Sequence, residues 1–147
     1  MGGMKHYIAE GGFSQWLYKK VGETISYKGM SGKIVAKIDD TIPNHAGLPL
    51  AANTSDFYIK LSKDDGMPEQ IRIYENRKAH LDLDWNHEHK QFKIGTLHVH
   101  DYVLDDKGKP NRQDARSATD AEIKKYGALI KKLNPKVKLK IKSNGTK

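Results

Sequence analysis

The chain has 147 residues, of which 37% are hydrophobic and 30% charged, with no cysteine and a formal charge of +8. That length argues for one domain with enough core to fold alone, and the lack of cysteine excludes a disulfide framework and thiolate chemistry. No apolar run approaches the roughly 20 residues that span a bilayer and no signal peptide is visible; the basic balance favours polyanions such as nucleic acid or anionic lipid, and the expected partner is RNA or other nucleic acid, with no membrane.

Taken in order, Met1-Gly2-Gly3 ahead of Met4 reads as a cloning remnant. Phe13, Trp16, Leu17, Lys20 and Val21 recur at helical spacing, with Ser14 near the start and Gly22 as a stop. This predicts a short amphipathic helix within residues 5–22, with Trp16 in the core. Ile25 and Tyr27, then Ile34, Ala36 and Ile38, alternate with polar positions, which predicts two strands punctuated by Gly29 and Gly32. Residues 39–55 carry Pro, Gly, Asn, Asp and Thr and read as a long loop of the kind that serves as a flap, with His45 in it. Strands follow at Phe57–Ser62 and Gln70–Glu75, joined by a turn whose Asp65-Gly66 supplies the positive-φ position. Two more are expected at His80–Trp85 and Thr96–Val103. Leu104–Ser117 reads as a polar loop. Thr119 with Glu122 has capping-box spacing. It opens a helix with Ile123, Tyr126, Ile130 and Leu133 as its apolar stripe and Lys124, Lys125, Lys131 and Lys132 opposite. Asn134-Pro135 ends it. Val137, Leu139 and Ile141 suggest a final strand, and 143–147 a disordered tail. The expected fold is a single α+β domain over 1–147: an antiparallel sheet of about four to six strands with an N-terminal and a C-terminal helix.

The stretch from His80 to Tyr102 holds five of the seven histidines. In His80–Trp85 the apolar set is Leu81, Leu83 and Trp85, and the alternate set is His80, Asp82 and Asp84. In Thr96–Val103 the apolar set is Leu97, Val99 and Val103, and the alternate set is His98, His100 and Tyr102. Residues two apart share a strand face. Paired as a hairpin, the two segments bring their titratable sets onto one surface. Single histidines on a sheet face are commonly just solvated, whereas so dense a cluster is typical of a functional site.

Two chemistries suit that surface. In a metal-independent ribonuclease, one histidine takes the proton of the attacking 2′-hydroxyl and another protonates the leaving oxygen, while cations offset the phosphorane charge. His98 and His100 fill the first roles, and Arg112, Arg116 or Arg72 the last. Arg112 and Arg116 gain weight from their place just before a helix N-terminus, where anions are favoured. Tyr102 or Ser117 orients the substrate, and Lys124 and Lys125 belong to its electrostatic approach. Alternatively, His87-Glu88-His89 and His98-Val99-His100 are two H-x-H pairs. With Asp82 or Asp84 they suit a divalent ion, zinc or manganese, in a structural or hydrolytic site. The carboxylates favour this second chemistry or a role in orienting a histidine, since they repel phosphate.

The runs IRIYENRKAHLDLDWNHEH, GTLHVHDY and ARSATDAEIKKYG resemble small proteins and C-terminal segments encoded around the minor-capsid and head-morphogenesis genes of phages of Gram-positive bacteria. The resemblance spans roughly Phe57 to Leu133. Related phage segments are identified by prediction as nucleases or toxins of the barnase, EndoU, colicin and RelE type. The resemblance implies N-terminal helical material followed by a curved antiparallel sheet with an RNA site on its concave face. It also implies a phage or prophage protein acting in the host bacterial cytoplasm or the virion, with a host protein or immunity partner. It fits His98, His100, Arg112 and Arg116, with no cofactor required, and leaves His87, His89 and the two aspartates unexplained. The expectation is therefore an RNA-cleaving enzyme. The alternatives are a non-catalytic, virion-associated or defence-inhibiting protein that binds through its basic face, and a His/Asp metal hydrolase.

Overall fold

The computed structural model describes residues 17–39, 41, 47–52, 54–86 and 92–140. Seven strands, β1 (Tyr18–Tyr27), β2 (Met30–Lys37), β3 (Phe57–Leu61), β4 (Pro68–Glu75), β5 (Lys78–Asp84), β6 (His98–Leu104) and β7 (Pro110–Arg112), precede helix α1 (Asp120–Leu133). They form one sheet in sequence order. Every neighbouring pair is antiparallel except β2 and β3, which run parallel. A parallel pair needs a crossover, and the segment between β2 and β3 supplies it. Its described part packs Leu48 and Ala52 into the molecule. It is tied down where Ala79 N donates to Leu50 O and Ala52 N to Arg77 O.

Strand alternation divides the interior into two layers. Phe57, Ile59, Ile71, Ile73, Leu81, Leu83, Trp85, Leu97 and Val99 face α1, which contributes Tyr126, Leu129 and Ile130. The α1 cap forms as expected: the Thr119 side chain accepts from Glu122 N, and the Glu122 side chain accepts from Thr119 N. The opposite layer is mixed. Tyr18, Val35, Leu48, Tyr58 and Tyr74 cluster there among the buried Lys33, Lys60, Arg72, Asp82, Asp84, His98 and His100. One backbone approach is close enough to require glycine: a Cβ at Gly32 would sit 2.1 Å from the Phe57 ring.

The α+β class and the C-terminal helix match the sequence reading; other details do not. Tyr18–Gly22, the described end of the expected N-terminal helix, is strand β1, whereas Phe13 and Trp16 lie outside the described residues. Five residues do not separate a period of 3.6 from one of 2, and pairing with β2 decides. Gly22, expected as a helix stop, has φ +74° and lies where the β1–β2 register shifts between Val21 and Ile25, so it serves a bulge. Among the described residues the sheet has seven strands, beyond the expected four to six: β7 arises inside the supposed loop 104–117, and β1 extends the strand expected at Ile25 and Tyr27 back to Tyr18. At 137–140 the described chain forms one bridge, Thr96 with Lys138, in place of a strand. No described helix is long and apolar enough to cross a membrane.

Candidate metal centre

The β5–β6 register sets Asp82 opposite His100 and Asp84 opposite His98. Both pairs point away from α1, because Leu81, Leu83 and Val99 between them fill the helix-facing core. The titratable face read from the alternation therefore exists, and it is buried: Asp82 and His98 are 0% exposed, Asp84 and His100 1%.

The two aspartates differ in their partners. Asp82 receives Arg72 Nε at 2.6 Å and Nη2 at 3.0 Å, the Tyr102 hydroxyl at 2.7 Å and Arg112 Nε at 3.1 Å. Burial alone would raise its pKa, but the Arg72 charge and hydrogen bonds bring it below the ordinary carboxylate value. Arg72 is in turn fixed by donation to the carbonyls of Leu48 and Pro49 on the crossover, and its guanidinium lies 5.2 Å from the Tyr102 ring centroid. Asp84 accepts from Arg112 Nη2 at 2.6 Å. Burial, reinforced by the Asp82 charge and opposed by Arg112, raises its pKa to about 7.

Asp84, His98 and His100 each bring one donor atom into a group no more than 4.8 Å across. His100 Nε2 lies 3.6 Å and His98 Nε2 3.8 Å from Asp84 Oδ2. These separations are long for hydrogen bonds. They lie near the ligand–ligand edge of about 3.3 Å that a tetrahedral site with bonds of about 2.0–2.1 Å implies. The ring orientations suit ligation. His100 Nδ1 is 2.8 Å from Gln113 O and donates to it, which turns Nε2 towards Asp84. His98 makes the same contact more loosely, with Nδ1 3.4 Å from Thr96 O, and Phe92 stacks on its ring at 5.3 Å. Beside the trio lies a cleft of about 590 Å³, lined in part by Lys60, Lys63, Arg72, Asp84, Asn86 and Arg112. Arg112, with its side chain 41% exposed, links the buried carboxylates to that cleft.

Comparison of the chain with protein-family models, curated proteins and solved structures finds no match. The chemistry of the site is therefore the basis for a functional reading.

Of the residues singled out in the sequence, His98, His100, Arg72, Tyr102, Arg112, Asp82 and Asp84 meet in one network. Arg116 does not join it. It reaches to the helix side, donating to Asp101 at 2.6 and 2.9 Å and to Glu122 at 2.7 and 2.9 Å. Ser117, Lys124 and Lys125 also stand on that side, exposed. Arg72 and Tyr102 bond to Asp82, and Asp82 is engaged by cations and is not part of the donor trio. His87, His89 and His45 lie outside the described residues. The sequence reading did not separate Asp84 from Asp82 as a ligand: the D-x-D and H-x-H spacing put both carboxylates and both histidines on one face, and the pairing of β5 with β6 sets the register. Gln113 holds His100 through a backbone carbonyl, which leaves no trace in the sequence.

Proposed function

We propose that the chain is a metal-dependent phosphodiester hydrolase acting on RNA or other nucleic acid. The observation that carries this reading is the convergence of Asp84, His98 and His100 beside a cleft that Arg72, Arg112, Lys60 and Lys63 line together with Asp64 and Glu69. Two imidazoles and a carboxylate form a donor set used for zinc and for other divalent ions. A divalent ion held there would supply Lewis acidity for a phosphoryl oxygen and for a bound water molecule.

The chain's own groups divide the remaining work. Gln113 O orients His100, and Arg72 holds Asp82 as a buried anion. Asp82 in turn positions Arg112, whose exposed guanidinium meets the phosphate and offsets developing charge. The formal charge of +8 favours the approach of a polyanion. Direct acid–base catalysis by His98 and His100 fits less well. A general base must come within hydrogen-bond reach of its substrate, and both rings are buried, one beneath Phe92.

The test is cleavage of matched RNA and DNA oligonucleotides by protein that is stripped of metal and then reloaded with zinc or manganese. Cleavage of both that needs the ion and is lost in Asp84→Ala and His100→Ala supports the assignment. Cleavage of RNA alone, undiminished by chelator, returns the site to metal-free histidine catalysis. Binding without cleavage by loaded protein makes the chain a nucleic-acid-binding module.

A further inference from the structure

The cleft extends well past the donor trio. Asp84 pairs with Gln70, and Gln70 with Lys60, across two ladders. Lys60 therefore projects onto the same face about 10 Å from Asp84, two inter-strand spacings away. Lys60 is 7% exposed, and its Nζ lies 3.4 Å from Glu69. Behind it stands Lys37, 8% exposed, two positions beyond Val35, the β2 partner of Lys60. Burial, with the charges of Lys60 and Lys63, holds the pKa of Lys37 below the ordinary lysine value. Lys60, Ser62 and Lys63 line the cleft, as do the carboxylates of Asp64 and Glu69. Lys60, paired with Glu69, and Lys63 are the cationic groups at this end of the cleft, and an anion received between them gains charge-assisted contacts.

We propose that the Lys60–Lys63 end of the cleft, with Lys37 behind it, binds the phosphate next to the one being cleaved, so that the protein acts on chains in preference to isolated phosphodiesters. This deepens the hydrolase reading and rests on it for catalysis, but the binding it asserts is measurable separately.

The experiment compares a diribonucleotide, with one phosphate, to a triribonucleotide, with two, on zinc- or manganese-loaded protein. One additional charge-assisted contact raises kcat/KM for the trimer about tenfold, beyond the statistical gain of a second bond. Lys60→Gln brings the trimer-to-dimer ratio close to the statistical value. Lys63→Glu, at an exposed position where folding is not at stake, does the same. A ratio that survives in Lys63→Glu, or a wild-type ratio at the statistical value, overturns the proposal. If neither oligomer is cleaved, the hydrolase reading fails. Fluorescence anisotropy with the labelled oligomers then gives the same ratio as Kd. Its loss in Lys63→Glu supports the subsite, and its persistence or absence from the wild type refutes it.

Discussion

Asp82→Asn removes one negative charge from the centre of the network with little change of shape. Asp82 is 0% exposed and Arg72 5%, and two of the four hydrogen bonds to Asp82 come from Arg72. After the substitution Arg72 keeps the Leu48 and Pro49 carbonyls and at most one amide oxygen of residue 82 as acceptors, and no counter-charge for a buried cation. Arg112, with its side chain 41% exposed, turns to solvent at little cost. Breaking a buried ion pair from one side costs about 3–5 kcal/mol. Set against the roughly 5–15 kcal/mol that holds such a domain folded, the loss is large. At about 2–4 °C per kcal/mol for a chain near this size, Tm falls by about 10 °C. Urea unfolding followed by tryptophan fluorescence measures the change. The double variant Arg72→Met/Asp82→Leu removes both charges and recovers most of the loss, since apolar replacement of a buried pair is often neutral or better. A single variant within about 1 kcal/mol of wild type, or a double variant no better than the single, refutes this account of the network.

Three further outcomes follow from the fold. Glu122 accepts from Arg116, which, against some burial, holds its pKa below the ordinary 4.5. A lowered folded value gives stability that is complete above pH 4.5 and is lost as pH falls through the folded value. In acid titration followed by circular dichroism, Glu122→Gln is less stable than wild type at neutral pH, and the gap narrows towards acid. Gly32→Ala forces the Phe57 ring aside and costs about 1–3 kcal/mol, read from the urea midpoint. Thr119→Ala removes the α1 cap and costs about 1 kcal/mol in the same assay, with cleavage unaffected because the cap lies on the helix side of the sheet.

The alternation of Leu81, Leu83 and Trp85 with His80, Asp82 and Asp84, and of Leu97 and Val99 with His98 and His100, was enough to predict two paired strands with a titratable face. The Thr119 box likewise marked the start of α1. Burial of that face was not legible, because the crossover that carries Leu48 and Ala52 over the sheet reads locally as loop. Arg116 could not be told from Arg112 by spacing: both are arginines of one polar stretch, and only the fold sends one to Asp101 and Glu122 and the other to Asp82 and Asp84. The helical reading of Tyr18–Gly22 failed because a partner strand, invisible to local periodicity, decided its conformation.

The central claim is that Asp84, His98 and His100 hold a divalent ion, and calorimetric titration of metal-stripped protein with zinc tests it most directly. The account predicts one ion per chain, with tight binding lost in Asp84→Ala and in His100→Ala and retained in Arg116→Gln. Equal binding by wild type and both ligand variants, or no binding by wild type, contradicts it.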